Sequence, residues 1–105
     1  WASILVLSGS EKNTVYKRND DGSLTYDRSV DLARGDVIYM AADAVHVAEC
    51  TSDKPAIGLH VYGDNVLGVE RQMWDPDTLQ EQPLDWSKYE GLAQRATAAD
   101  KAPLT

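Results

Sequence analysis

Phenylalanine is absent from the 105 residues, cysteine occurs once and histidine twice. Without phenylalanine, aromatic packing falls to three tryptophans and five tyrosines, side chains that seek a hydrogen-bond partner for their polar edge. A single cysteine, Cys50, rules out an intrachain disulfide and points to a reducing compartment, the cytoplasm. Ten Lys and Arg against seventeen Asp and Glu leave a net charge of −7. With the basic residues scattered, a nucleic-acid or anionic-membrane surface is not expected. No apolar run approaches the roughly 20 residues that span a bilayer, and no basic, apolar leader pattern precedes the first strand. Glycine-rich phosphate loops, a Ser-His-Asp arrangement and a zinc ligand cluster are also missing.

What remains has the texture of short strands broken by turns. The near-continuous apolar run "ASILVLS" is followed by "GSEKN", which reads as a turn. "TVYKR" leads into "NDDGS", a strong turn signal, and "LTYDRSVDL" into the turn "ARGD". Three β-branched or aromatic runs follow, "DVIYM", "VHVAEC" and "AIGLHVYG", separated by "AADA" and "TSDKP". Strands at this spacing predict an antiparallel sandwich or barrel, with no βαβ rhythm. Composition changes after Gly63. Residues 64–85 read as an extended wrap that Trp74 and Trp86 pin down. The capping-box pattern Ser87-Lys88-Tyr89-Glu90, followed by "GLAQRATAA", predicts a short C-terminal helix over 86–99. The expected organisation is one domain, 1–105, with strands over 1–63.

The histidines carry the chemistry. Gly35, Ala41, Asp43, His46 and Cys50 fall at the spacing of the second conserved motif of the cupin superfamily. There the corresponding places hold glycine, proline, glycine, histidine and asparagine. Downstream, His60 and Tyr62 lie two apart on a strand and share a face. If the strands of His46 and His60 pair as a hairpin, both rings face one cavity. A His-x-Tyr pair after such a motif resembles the thiol dioxygenases, the cysteine and 3-mercaptopropionate type. In these enzymes a Ser-x-His-x-Tyr triad stands beside a non-haem iron held by three histidines. The tail "RQMWDPDT…DWSKYE" resembles bacterial members of the group. Gly58 occupies the serine position.

The resemblance implies a small all-β cupin-like double-stranded β-helix, a jelly-roll barrel, with a short C-terminal helix. It also implies Fe(II) as cofactor and a small thiol carboxylate as substrate, oxidised to the sulfinic acid. His46 would be an iron ligand, His60 and Tyr62 an outer-sphere catalytic pair, and Arg71 the partner of the substrate carboxylate. The family's first motif supplies two more ligands as His-x-His before a strand that ends in glycine. "WASILVLSG" resembles that strand, and counting back places the second histidine about three residues before Trp1. Neither Asp43, in a corner, nor Glu49, an odd number of residues from His46, is well placed to substitute. Cys50 and His46 share a face but lie about 13 Å apart along a strand, too far for a nucleophilic pair.

Two readings follow. In one, the chain is part of a thiol dioxygenase-like cupin whose upstream strands carry the missing ligands, so that the barrel without them is partly open. In the other it is a metal-free cupin that binds a small ligand or a protein. In either case unpaired strand edges predict a homodimer that completes the sheets.

Overall fold

The computed structural model describes the backbone of residues 1–101 and the side chains of residues 1–95. The fold is antiparallel β-structure with one helix, as the strand pattern predicts. The chain divides into two compact units, Trp1–Val69 and a second that begins at Glu70.

The first unit holds six strands: β1 (Ala2–Ser8), β2 (Ser10–Arg18), β3 (Leu24–Ala33), β4 (Val37–Met40), β5 (Val45–Cys50) and β6 (Ile57–Tyr62). They form two sheets, ordered β4-β1-β6 and β3-β2-β5. Strand β1 is thus the centre of one sheet and β2, the next strand, the centre of the other. Their period-2 alternation turns Ile4 and Val6 of β1, and Asn13 and Val15 of β2, inward. Ile38 and Met40 of β4 and Leu32 of β3 join Ile4, Val6 and Val15 in one buried cluster, so the two inner faces share a core.

The stretch "GSEKN" departs from its expected turn. Only Gly9 turns, at φ +73°, and Ser10 to Asn13 already form strand, paired with β3 and, from Glu11 on, with β5 as well. Four polar residues form strand here because β2 is paired along both edges. Gly9 has no alternative. A Cβ there would meet the Ala56 Cα at 2.9 Å and the Pro55 carbonyl oxygen at 3.0 Å, at a φ that L side chains rarely adopt. The loop between β5 and β6 sits on this glycine, and Ser52 Oγ accepts a bond from the Ser10 amide at 3.0 Å.

The other turns form where expected. In "NDDGS" the Asn19 amide donates to the Ser23 carbonyl (2.8 Å). The Ser23 hydroxyl and amide both donate to Asp21 Oδ1 and hold that carboxyl below its usual range. In "ARGD" the Ala33 amide donates to Asp36 Oδ2 (2.9 Å), and the amide of Gly35, at φ +90°, donates to the Val6 carbonyl.

Residues 64–85 are not simply extended. Within the second unit they include a short hairpin of β7 (Gln72–Trp74) and β8 (Glu81–Pro83), closed by a bend in which Leu79 adopts φ +56°. Helix α1 spans Trp86–Lys101, two residues beyond the expected range of 86–99. Its cap is Asp85, two residues before Ser87: Asp85 Oδ1 accepts from the Lys88 amide at 3.1 Å. Among the described residues no helix is long and apolar enough to cross a membrane.

Asp75 organises this unit. Its Oδ1 accepts from the amides of Asp77 (2.8 Å) and Thr78 (3.1 Å), and its Oδ2 accepts from Lys88 Nζ at 2.6 Å. Lys88 also donates to Gln82 Oε1 at 2.7 Å, tying helix to hairpin. The Lys88 bond first, then the two amides, lower the Asp75 pKa to about 2. A carboxyl depressed below its unfolded value adds stability that is complete above pH ~4 and is lost as pH falls toward 2. Asp75→Asn should therefore lower the melting temperature at pH 5–7. It should also flatten the acid limb between pH 4 and 2, as read by circular dichroism melts across that range.

Candidate functional site

His46 lies on β5 directly opposite Val15 of β2, so its ring is on the inner side of that sheet. His60 and Tyr62 lie on β6 opposite Ile4 and Ala2 of β1, on the inner side of the other sheet. The expected hairpin pairing of the His46 and His60 strands does not form. β5 pairs with β2 and β6 with β1, because β5 and β6 continue the two sheets that Gly9 separates. The histidines stand instead on the inner faces of two different sheets. β5 and β6 are edge strands, joined by the loop seated on Gly9, and their inward residues are exposed where the interior of their neighbours is buried. The inner faces are thus open at β5 and at β6, the strands that carry the histidines.

Sequence reasoning passes over the residue that organises His46. Asn13 is fully buried, at 0% exposure. Its Nδ2 donates to Glu11 Oε1 at 2.9 Å, and its Oδ1 faces His46 Nδ1, also at 2.9 Å. Since Oδ1 can only accept, His46 Nδ1 is the donor. The neutral ring therefore carries its lone pair on Nε2, the nitrogen able to bind a metal or take a proton. A polar partner of this kind fixes both ring orientation and tautomer, as the hydrogen-bond partners behind metal-bound imidazoles do. A signal exists in the sequence: Glu11, Asn13 and Val15 recur at period 2 into a core residue. The turn-like composition of "GSEKN" hides it.

His60 and Tyr62 do meet. Tyr62 Oη lies 3.4 Å from His60 Nδ1, with ring centroids 6.2 Å apart and tilted by 37°. The other edge of the imidazole rests over Gly58. A Cβ built there would lie 3.3 Å from His60 Nε2. Position 58 is therefore adjacent to the ring, and glycine there leaves room for the imidazole against the strand.

The carboxylates near His46 in sequence are not turned to it. Glu49 is on the outer face opposite Lys12, 3.8 Å from its ammonium. Asp43 is exposed in the corner between β4 and β5. Among the described residues no group of three His, Cys, Asp or Glu converges as a metal site would require. The residues present supply one imidazole and do not fit a three-ligand iron centre on their own. Cys50 lies at the far end of β5 with its Sγ near the Ser52 and Lys54 carbonyls, 3.5 and 3.4 Å away. Arg71 belongs to the second unit, where its carbonyl accepts from the Leu84 amide at 2.9 Å. Comparison of the chain with family models, with curated proteins and with solved structures gives no match.

The Asn13 bridge makes a direct test. Asn13→Ala removes both bonds, each worth about 0.5–1.5 kcal/mol, and should cost about 1–3 kcal/mol in urea unfolding. It should also release the His46 tautomer, seen as ring ¹⁵N shifts moving from a fixed Nδ1–H pattern toward the exchange average. An unchanged ¹⁵N pattern would mean that Asn13 does not set the tautomer.

Proposed function

We propose that this chain is a cupin-type scaffold related to the iron-dependent thiol dioxygenases and that it carries the second half of their site. In this reading the two sheets are the facing halves of a jelly roll. His46 is the metal-facing imidazole, and His60 with Tyr62 is the outer-sphere pair. The observation that carries the reading is the Asn13–His46 bond, which fixes the tautomer of an imidazole on the inner side of a sheet. The His60–Tyr62 contact supports it, since a phenol fixed by an imidazole is suited to hydrogen-bond a bound small molecule.

Fe(II) of this class activates dioxygen and sulfur together. The described residues give it one protein ligand where three are needed, so no oxygenation step is assigned to this chain alone. The second reading, a metal-free module that binds a small ligand or a protein, draws on the same count of ligands. Both readings use the exposed inner faces of β5 and β6 for binding.

Iron per chain tests the ligand count on which both readings rest. After anaerobic reconstitution with Fe(II) and desalting, elemental analysis should find well under one iron per chain. Oxygen uptake with cysteine or 3-mercaptopropionate should stay at the buffer rate. Near-stoichiometric iron that disappears in His46→Ala would overturn the half-site reading and reveal a complete ligand set. A separate test addresses the serine position. Gly58→Ser places a hydroxyl beside His60 Nε2 and should shift the His60 ring resonances while leaving those of His46 unmoved.

A further inference from the structure

The two sheets of the first unit differ on their outer faces. On β3-β2-β5 the outward positions include Lys12, Thr14, Ser29, Asp31 and Glu49, a solvated surface with a Lys12–Glu49 ion pair. On β4-β1-β6 the outward positions include Val37 and Tyr39 of β4, and Ile57, Leu59 and Val61 of β6. Trp1 stacks on Tyr39 at 6.4 Å. These six side chains are 48–60% exposed, and none carries a charge. Together they present on the order of 700 Å² of apolar surface, above the largest patch of a typical soluble monomer.

We infer that this face is the interface of a homodimer, formed by packing the β4-β1-β6 sheet of one copy face to face on that of a second. The area is close to the ~800 Å² that each partner contributes to a stable complex. The shape also argues for a second copy. A twisted antiparallel sheet face is matched by a sheet of the same twist, which packs on it at about −30° with interdigitated side chains. A net charge of −7 and a patch without Lys or Arg disfavour an anionic membrane. Trp1 and Tyr39 supply the large aromatic anchors on which such interfaces depend. The contact uses the face of the sheet, not the strand edges, and does not rest on the chemistry proposed for His46.

Sedimentation equilibrium of the full 105-residue chain tests the inference. The expected mass at micromolar concentration is twice the 11.6 kDa monomer. Leu59→Lys on β6 and Tyr39→Lys on β4 should each raise the dissociation constant at least 100-fold, with the far-UV circular dichroism unchanged. Both side chains are half-exposed, so the monomer has room for the lysine. A wild-type monomer at 100 µM overturns the proposal, and so does a dimer that survives both substitutions, which would be held by strand edges. A wild-type monomer that floats with phosphatidylcholine vesicles would assign the face to lipid and likewise overturn it.

Discussion

Every other strand of the first unit hydrogen-bonds to β1 or to β2, and the chain passes between these two at a single residue, Gly9. Because the crossing is this short, consecutive strands become the centres of two different sheets rather than a hairpin. Their inner faces are then forced to share one core, since Ile4 and Val6 leave one sheet just before Asn13 and Val15 enter the other. The loop between β5 and β6 closes down on the same glycine, with its backbone where a Cβ would be. That contact sends β5 along one sheet and β6 along the other. A larger residue at position 9 would therefore disturb both sheets and both histidine-bearing strands.

The core that Gly9 creates is apolar except at Asn13. A buried amide is tolerated only when both its ends are bonded, and one unmet group costs about 1–3 kcal/mol. Glu11 meets the amide nitrogen and His46 the amide oxygen. The imidazole is thereby held by the same interaction that makes the core acceptable. Fold and site are coupled at this point, so that His46 can be an organised ring even though its strand is exposed along most of its length. His60 is anchored differently, by a neighbour on its own strand and by the absence of a side chain at Gly58. The first arrangement depends on β2, the second only on β6.

Much of this is legible in the residues. The apolar runs mark β1, β4, β5 and β6 nearly to the residue, and "NDDGS" and "ARGD" turn as their composition requires. The His-x-Tyr spacing places His60 and Tyr62 on one face, and they touch. What is not legible depends on pairing. Strand β2 begins in polar residues because partners on both sides satisfy its backbone, which composition does not report. β5 and β6 are adjacent in sequence and separated by a turn-like loop, the usual mark of a hairpin, yet each has a better partner in a strand placed earlier by Gly9. Asp85 rather than Ser87 caps the helix because the Lys88 amide lies three residues beyond it, while Lys88 Nζ reaches back to Asp75. The bend at Leu79 carries no glycine or asparagine to announce its positive φ.

The difference between the outer faces is present in the sequence as a difference in rhythm. β2 and β3 alternate, as strands with one wet face do, whereas "SILVL" and "VIYM" are apolar at nearly every position, the pattern of a sheet covered on both sides. Simple charge counting says that an acidic chain resists its own copy. The charge and the apolar face obey different laws, however. Repulsion between exposed carboxylates is screened beyond a Debye length of about 8 Å at physiological salt, while burial of apolar surface is not screened. Charge is excluded from the side chains of Trp1, Val37, Tyr39, Ile57, Leu59 and Val61, so the repulsive term acts mainly at the margins of the contact. Acidity of this kind selects against disordered association without opposing the one packing that brings two uncharged faces together.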